Sequence, residues 1–377
     1  MARLLLAKYV KHYLSNVTSD SLKEALSKHS LIEQEQLLRT TVQDAGLNAI
    51  SVAAIQNNLP MLQCLLDPFQ PQVRYELIVL GDGMHLAAEK GNSQIIAYML
   101  NSVTAQLREE LMILDDNSGK IALHYAIEGR NLEMVKCMRN SMTEDMWYEL
   151  LKVRCVSRNA ALHFAAILNY PDILDFLLNS VRTTAQRFKL LSIQGGGSHL
   201  PIDYAAKHQC ANAMRSIVES IPKEQLYQLL QRRNRGGNPT LHFAASYGCS
   251  ETARCLLEQL SADEKFELIT MPGQFGATAI HTAAFRGHFE TIICMIEMLT
   301  PAQWMQLCEH IDIVTLQGRV EQRCSSPGST ELLRWISSVR ELYTVFSGIY
   351  ASRLLLFYIH KKVQPFYFCT INLNRQT

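Results

Sequence analysis

A single position recurs along this 377-residue chain at an almost constant interval. Histidine occupies it five times and aspartate once, and consecutive positions are separated by 39, 39, 40, 39 and 39 residues. We call these residues the anchors; they are His85, His124, His163, Asp203, His242 and His281. A fixed period of this length is typical of proteins in which each repeat packs against its neighbours instead of folding around a core of its own. The sequence therefore predicts an array of stacked repeats.

The residues that follow the anchors are similar from repeat to repeat. They read LHYAIEGRN from Leu123, LHFAASYGC from Leu241 and IHTAAFRGH from Ile280. With Pro239 and a threonine in front of it, the second of these copies is close to the T-P-L-H-x-A signature. Over about residues 30 to 320 the chain resembles the ankyrin repeat family. The resemblance implies an all-α, ankyrin-type solenoid.

Each repeat is predicted to begin with two short helices. Paired alanines such as Ala244-Ala245 favour a helix and leave room for a neighbouring backbone. A glycine is predicted to end the first helix, namely Gly91, Gly129, Gly248 or Gly287. Gly248 and Gly287 are expected to take the left-handed conformation of a helix C-cap, which glycine adopts with little steric penalty. A second helix follows, with apolar residues at intervals of three and four.

An extra short helix is predicted in every repeat. The ankyrin repeat has a period of about 33 residues, and the additional residues of this chain fall at one place in each repeat. The predicted starts of this third helix are Thr104, Thr143, Thr183, Pro222, Ser261 and Thr300. Three of these starts resemble capping boxes, in which two side chains satisfy unpaired amides. The pairs are Thr183 with Gln186, Ser261 with Glu264, and Thr300 with Gln303.

The ends of the array are predicted from weaker patterns. Ser51 occupies a degenerate first anchor 34 residues before His85, so the array contains about seven repeats. Both ends of a repeat array need a cover with a polar outer face. The predicted boundaries are an N-terminal helical cap over 1–43, the repeat array over 44–317, a degenerate C-terminal cap over 318–341 and an apolar tail over 342–377.

The apolar tail raises the question of a membrane anchor over residues 342–369. Its first part, 342–360, is apolar and aromatic over about the length that spans a bilayer, and two lysines follow it. Against insertion, Arg353 lies near the middle, and a central arginine costs on the order of 3 kcal/mol on insertion scales. A packed terminal helix is favoured over a membrane anchor.

Composition narrows the classes of function. A net charge of +1 argues against broad electrostatic attraction to nucleic acid, so no nucleic-acid partner is predicted. The ten cysteines contain no C-x-x-C pair, which favours reduced thiols in the cytoplasm over a structural zinc site. The chain shows no apolar stretch near its start that is long enough for a secretory signal.

No catalytic, cofactor-binding or metal-binding residue is predicted. A histidine at the start of a helix can donate to a neighbouring carbonyl and accept from an amide, and the even spacing of the anchors would keep them too far apart to share a metal. Ser118-Gly119-Lys120 lacks the upstream glycine of a phosphate-binding loop. The anchors are therefore interpreted as structural, and the chain as non-enzymatic.

Recognition of another protein is the remaining function. In ankyrin repeat proteins, the tips of the loops and the exposed side of the first helix form a concave surface, and the resemblance implies binding there. Arginine and aromatic residues dominate the energetics of interfaces, although a solvated charged rim is an equal alternative for any one of them. The predicted protein-binding residues are Arg154, Arg158, Arg232, Arg233, Arg235, Tyr247, Phe275, Phe285 and Arg286.

The sequence thus predicts a monomeric scaffold or adaptor in the cytoplasm, with a groove centred on the fifth to seventh repeats and an unidentified protein as partner. Three alternatives stay open. The chain could be a membrane-tethered ankyrin protein, or a bacterial effector that acts on a host protein in the host cytoplasm. An unrecognised enzyme would need a pocket of converging titratable groups, which a sequence does not reveal.

Overall fold

A computed structural model of the chain describes residues 2–3, 5–7, 18–39 and 47–310. Helices make up the regular structure of these ranges, which also contain two isolated β-bridges. The predicted C-terminal cap, the apolar tail and its membrane alternative lie outside the described residues, as does part of the predicted N-terminal cap. Within the described ranges, no helix has both the length and the apolar character needed to cross a bilayer.

The chain divides into two compact units. We call Met1–Leu229 the N-terminal unit and Leu230–Thr377 the C-terminal unit. Repeats are numbered by their anchors, from Ser51 in repeat 1 to His281 in repeat 7. Repeats 1 to 5 belong to the N-terminal unit, apart from the last residue of the fifth, and repeats 6 and 7 belong to the C-terminal unit.

Over 18–39 and 47–230, the chain forms two leading helices and five triplets of helices. The leading helices are α1 (Ser19–Leu26) and α2 (Leu31–Leu38). Repeats 1 and 2 are α3 (Ala49–Ile55), α4 (Leu59–Leu66), α5 (Pro71–Leu80), α6 (Gly83–Glu89), α7 (Ser93–Asn101) and α8 (Ala105–Ile113). Repeats 3 and 4 are α9 (Ala122–Glu128), α10 (Leu132–Asn140), α11 (Glu144–Leu150), α12 (Ala161–Ile167), α13 (Pro171–Asn179) and α14 (Thr184–Leu191). Repeat 5 is α15 (Pro201–Lys207), α16 (Ala211–Glu219) and α17 (Lys223–Leu230).

The C-terminal unit continues the same pattern. Repeat 6 is α18 (Thr240–Tyr247), α19 (Ser250–Glu258) and α20 (Ala262–Thr270), and repeat 7 is α21 (Ala279–Arg286), α22 (Phe289–Glu297) and α23 (Pro301–His310). Short 3₁₀ turns at Gly196–Ser198 and Gln274–Gly276 precede α15 and α21. The predicted all-α fold with three short helices per repeat is confirmed over the described residues.

The extra third helix starts one residue after each of its six predicted positions. All three predicted capping boxes form, since Thr183 and Ser261 exchange hydrogen bonds with the residue three positions later. In the third box, the amide of Thr300 donates to Oε1 of Gln303 at 3.1 Å, and the amide of Gln303 donates to Oγ1 of Thr300 at 3.3 Å. Local capping chemistry therefore defines where these helices begin.

Small residues allow the first helices to pack closely within each unit. In the N-terminal unit, α3, α6, α9, α12 and α15 each contact the next, and in the C-terminal unit α18 contacts α21. Paired alanines line these contacts and are buried, as at Ala165-Ala166 and Ala244-Ala245. The second helices stack in the same way and bury their apolar side chains. Each repeat thus completes its core with its neighbour.

The turn between the first and second helices requires a left-handed residue in all seven repeats. These residues are Asn57, Gly91, Arg130, Asn169, Gln209, Gly248 and Gly287. Gly248 and Gly287 end their helices as predicted, with φ of 73° and 76°. Gly129 also ends its helix as predicted, but with φ −76°, and the left-handed residue of that turn is Arg130 at φ 52°. The stack imposes this backbone conformation even on residues that disfavour it.

A second set of contacts joins the third helix to the next repeat. The side chain four residues after the helix cap donates to the serine that ends the following second helix, over 2.7 to 3.3 Å. The pairs are Arg74 with Ser102, Arg108 with Ser141, Trp147 with Ser180, and Arg187 with Ser220. A cation at a helix C-terminus satisfies carbonyls that lack a helical partner. These contacts were not predicted from the sequence, although the arginine recurs at the same position of three third helices.

Replacing Arg108 with alanine is expected to lower the free energy of unfolding by about 1.5 to 3 kcal/mol, the range for hydrogen bonds to charged groups. Its guanidinium donates to the carbonyls of Leu100 at 2.7 Å and Ser141 at 3.3 Å. Urea unfolding followed by circular dichroism measures the change. The control is Gln106→Ala on the same helix, where an exposed side chain is lost and the effect should stay within about 0.5 kcal/mol. Equal losses in both variants would contradict the assigned role of Arg108.

Candidate functional site

The anchor side chains are buried apart from the half-buried His281, and four of them reach the following loop. Nε2 of three histidines donates to a carbonyl there: His85 to Leu114 at 2.9 Å, His163 to His199 at 3.3 Å and His242 to Ala277 at 2.9 Å. In repeat 1 the hydroxyl of Ser51 donates to the carbonyl of Gly81 in the same manner. The predicted tie between adjacent loops is therefore confirmed at these four anchors.

The other side of an anchor caps its own helix. Nδ1 of His163 accepts from the amide of Ala160 at 3.1 Å, and Oδ2 of Asp203 accepts from the amide of Leu200 at 2.8 Å. Both contacts satisfy a helix-start amide that has no partner within the helix. An aspartate can thus replace histidine as a cap.

Burial controls the charge of most anchor histidines. It lowers the pKa of His124, His163 and His242 to about 4, so these rings are neutral at pH 7. His85 differs, because burial is outweighed by the Asp82 carboxylate 2.5 Å from its Nδ1, which raises its pKa. Among the described residues, no three side chains of histidine, cysteine, aspartate or glutamate come together as a metal site would require.

The tips of neighbouring loops are joined by hydrogen bonds within each unit. In the N-terminal unit, the amide of Val156 donates to the carbonyl of Ser118 at 2.8 Å. In the C-terminal unit, the amide of Gln274 donates to Oδ1 of Asn238 at 2.8 Å. The side chains that project from these tips therefore extend from a supported backbone, which reduces the entropy lost when a partner binds.

In the N-terminal unit, the predicted residues Arg154 and Arg158 are both exposed on the tip 154–159. Between them Val156 has 74% of its surface exposed. This valine could not be singled out from the sequence, because a single apolar residue in a turn carries no periodic signal. The tip thus presents two cations on either side of an apolar side chain.

In the C-terminal unit, the tip that follows α17 exposes Arg232, Arg233 and Arg235. Arg233 also has a structural contact: its Nη1 donates to the carbonyl of Gly237 at 2.9 Å and to the carbonyl of Pro272 on the next tip. Part of the predicted basic cluster therefore holds the two tips together.

Phe275 is the most exposed large apolar residue of the described chain, with 84% of its surface accessible. Its backbone is left-handed at φ 59°, which a bulky residue rarely adopts. The corresponding position of the repeat 5 tip is Gly197, with φ 66°. A side chain that adds strain without being buried is a candidate for function, because strained residues cluster at functional sites.

The first helices of the C-terminal unit present the remaining predicted residues. Tyr247 at the end of α18 is 41% exposed, and Arg286 at the end of α21 is exposed. The guanidinium carbon of Arg286 lies 5.9 Å from the centroid of the Phe285 ring. Phe285 itself is half-buried and therefore less accessible than the sequence suggested.

The nine predicted residues thus belong to two units. Arg154 and Arg158 lie in the N-terminal unit, whereas the arginines of the tip after α17, the aromatic residues and Arg286 lie in the C-terminal unit. A groove centred on repeats 5 to 7 would take residues from both units, and its extent stays a prediction.

The family follows from the triplets, the anchor contacts and a sequence comparison. A family model described as "Ankyrin repeats (3 copies)" matches residues 50–149 and 84–187. The chain is an ankyrin repeat protein. Ankyrin repeats are generally protein-protein interaction modules, and their fold is typically non-enzymatic.

Solved structures of ankyrin repeat proteins resemble this ankyrin repeat protein in fold. The ankyrin repeat domain of Bcl-3, described as a unique member of the IkappaB protein family, matches with a TM-score of 0.52 and 17% identity, over 66% of this chain and 98% of that one. The ankyrin repeat protein EF0377 matches with a TM-score of 0.46 and 14% identity, over 58% of this chain and 97% of that one. A search of curated proteins found no match. At such identities the Bcl-3 likeness shows the fold alone.

Acidification is expected to destabilise this ankyrin repeat protein as the pH falls from about 6.5 towards 4. Over that interval the unfolded histidines, with an ordinary pKa of 6.5, bind protons, while His124, His163 and His242 stay neutral in the fold. Between pH 7 and pH 5, proton uptake by the unfolded chain lowers the free energy of unfolding by on the order of 2 kcal/mol for each of these three histidines. The raised pKa of His85 opposes this in part.

Urea midpoints at pH 7, 6 and 5 measure this loss. His163→Gln should reduce the pH dependence by about one histidine's share, whereas Gln106→Ala, which touches no anchor, should retain it in full. A stability that does not change between pH 7 and pH 5 would show that the anchors are not neutral in the fold.

Replacing Phe275 with glycine is expected to raise the free energy of unfolding by about 0.5 to 1 kcal/mol, because glycine adopts the left-handed backbone without strain. Urea unfolding measures the change. The matched control is Phe275→Ala, which keeps a Cβ atom and should give no such gain. Identical stabilities of the two variants would show that the backbone at this position is not strained.

Proposed function

We propose that this protein is a non-enzymatic scaffold or adaptor that binds a protein partner through its loop tips and first helices. The observation that carries the proposal is Phe275, whose side chain is 84% exposed on a left-handed backbone. Because this ring stays exposed, it adds little hydrophobic free energy to the stability of the folded chain. A partner that covers it would gain the hydrophobic free energy that folding leaves unused.

The hydrogen bonds that hold the loop tips in place favour a role in recognition over a solvated rim that binds nothing. Asn238 fixes the tip that carries Phe275 by accepting from the amide of Gln274 at 2.8 Å. The anchor His242 holds the end of the same loop through the carbonyl of Ala277 at 2.9 Å. An aromatic side chain on a supported loop loses little conformational freedom on binding, which is the property of an interface anchor.

The titratable groups of the anchors give no reason to propose catalysis. His163 is buried, neutral and hydrogen-bonded to backbone groups through both ring nitrogens. Asp203 caps its own helix. A general acid or base needs access to a substrate. These side chains instead make hydrogen bonds to backbone groups of the repeats.

We propose the cytoplasm as the location and a monomer as the state of the chain. Seven cysteines of the described part of the chain are free thiols, and most of these seven are buried. Free thiols are the common state in reducing compartments, whereas secreted proteins of comparable cysteine content form disulfides. The free cysteines are Cys64, Cys137, Cys155, Cys210, Cys249, Cys255 and Cys294.

The test is capture of partners from cell lysate by three forms of the full chain. The parent is compared with the double variant Tyr247→Ala, Phe275→Ala and with a control, Leu80→Ala, Ile113→Ala. Leu80 and Ile113 end third helices and are 42% and 47% exposed, similar to the 41% of Tyr247. The control therefore removes apolar surface of similar exposure from third helices, and not from the tips or first helices themselves.

A protein retained by the parent and the control, and reduced about tenfold or more with the double variant, is the expected result. Circular dichroism must show that all three forms are folded to the same extent. Equal retention by the three forms would show that Tyr247 and Phe275 are not part of the binding surface.

A further inference from the structure

Charge is segregated within the described part of the C-terminal unit. Residues 231–250 and 271–289 form the tips and first helices, and they contain four arginines but no aspartate or glutamate. The arginines are Arg232, Arg233, Arg235 and Arg286. The acidic residues of this part all lie in second and third helices, namely α19, α20, α22 and α23. One face of the unit is therefore cationic, and the acidic residues belong to other helices.

Aromatic side chains lie among these arginines. The hydrogen bonds from Arg233 to Pro272 and from Gln274 to Asn238 place the two tips side by side. Consequently Arg235 and Phe275 project from adjacent tips. Tyr247 and Arg286 extend the same combination to the ends of α18 and α21.

The corresponding surface of the N-terminal unit does not have this uniform charge. The tip 115–120 contains Asp115 and Asp116, and Lys120 pairs with Glu128 of the following first helix at 2.8 Å. The Asp116 carboxylate is held by hydrogen bonds from the Tyr125 hydroxyl at 2.5 Å and from the Lys120 amide at 2.9 Å. A purely cationic face is therefore not a general consequence of the repeat.

We infer that the C-terminal unit binds an acidic segment of its protein partner that also carries an aromatic or long aliphatic side chain. This inference rests on the proposed function and specifies its partner. Carboxylates of the segment pair with Arg235 and Arg286, because the guanidinium group presents two parallel donors to a carboxylate. The apolar side chain of the segment packs on Phe275 and Tyr247.

Single-stranded nucleic acid is the other polyanion that arginine and aromatic residues attract. The arrangement favours a peptide. Nε2 of Gln231 donates to Oε1 of Glu267 at 3.2 Å, which places a carboxylate beside the residue that precedes Arg232. A continuous phosphate backbone would meet that negative charge, and the net charge of +1 supplies no long-range attraction. A short acidic segment, unlike a continuous phosphate backbone, can bind without meeting the carboxylate of Glu267.

The experiment selects partners from a phage-displayed library of random 12-residue peptides, with the full chain as bait. Enriched sequences should be rich in aspartate and glutamate and should contain an aromatic or aliphatic residue. The best peptide, labelled with fluorescein, is then titrated by fluorescence polarisation, and its affinity should fall as sodium chloride is raised. A single-stranded DNA 12-mer with the same label is titrated beside it.

Two variants with matched loss of charge test the surface. Arg235→Gln with Arg286→Gln removes two cations from the cationic face and should weaken the peptide about tenfold. Arg254→Gln with Lys265→Gln removes two cations from α19 and α20 of the same unit and should change the affinity less than about twofold. Circular dichroism confirms that both variants are folded.

Enrichment of neutral or basic peptides that depend on Tyr247 and Phe275 would overturn the acidic partner and leave the proposed function in place. Equal affinities of the two charge variants, or tighter binding of the DNA than of the best peptide, would also overturn it. A selection that enriches no peptide counts against the acidic segment, and the capture comparison then decides the proposed function separately.

Discussion

The hydrogen bond from a buried anchor to a carbonyl of the following loop is the contact on which this ankyrin repeat protein depends. His85, His163 and His242 make it through Nε2, and Ser51 makes it through a hydroxyl. It satisfies a polar backbone group at the place where two repeats meet, and an unsatisfied group there would cost about 1 to 3 kcal/mol. Since burial keeps most of the rings neutral, the contact also links folding to pH.

In repeats 1 to 4, the third helix adds a second contact with the next repeat. In the N-terminal unit, Arg74, Arg108 and Arg187 cap the following second helix from four residues inside the third one. The extra residues that lengthen the period to about 39 therefore form a helix that contacts the next repeat. Because contacts between repeats hold the backbone of the loops, the tips can carry side chains that the fold does not bury, such as the exposed Phe275.

Much of the candidate surface was visible in the sequence. The period located the tips, and the basic and aromatic residue types singled out Arg235, Phe275 and Arg286, which are all exposed. Val156 was missed, because one apolar residue in a turn resembles any other. The structural contact of Arg233 with the next tip was also hidden, since its acceptor lies 39 residues away. Exposure and partner assignment depend on contacts between repeats, which local patterns do not encode.

By itself the sequence determined the period, the three helices of each repeat and the starts of the third helices, because a cap such as Thr183 with Gln186 acts within three residues. Only the tertiary structure decided which residue takes the left-handed turn and which rings are buried. In repeat 3 the left-handed residue is Arg130 rather than Gly129. Packing of one repeat on the next likewise buries His163 and leaves Phe275 exposed. These outcomes depend on residues about 39 positions apart, a distance at which backbone propensity carries no information.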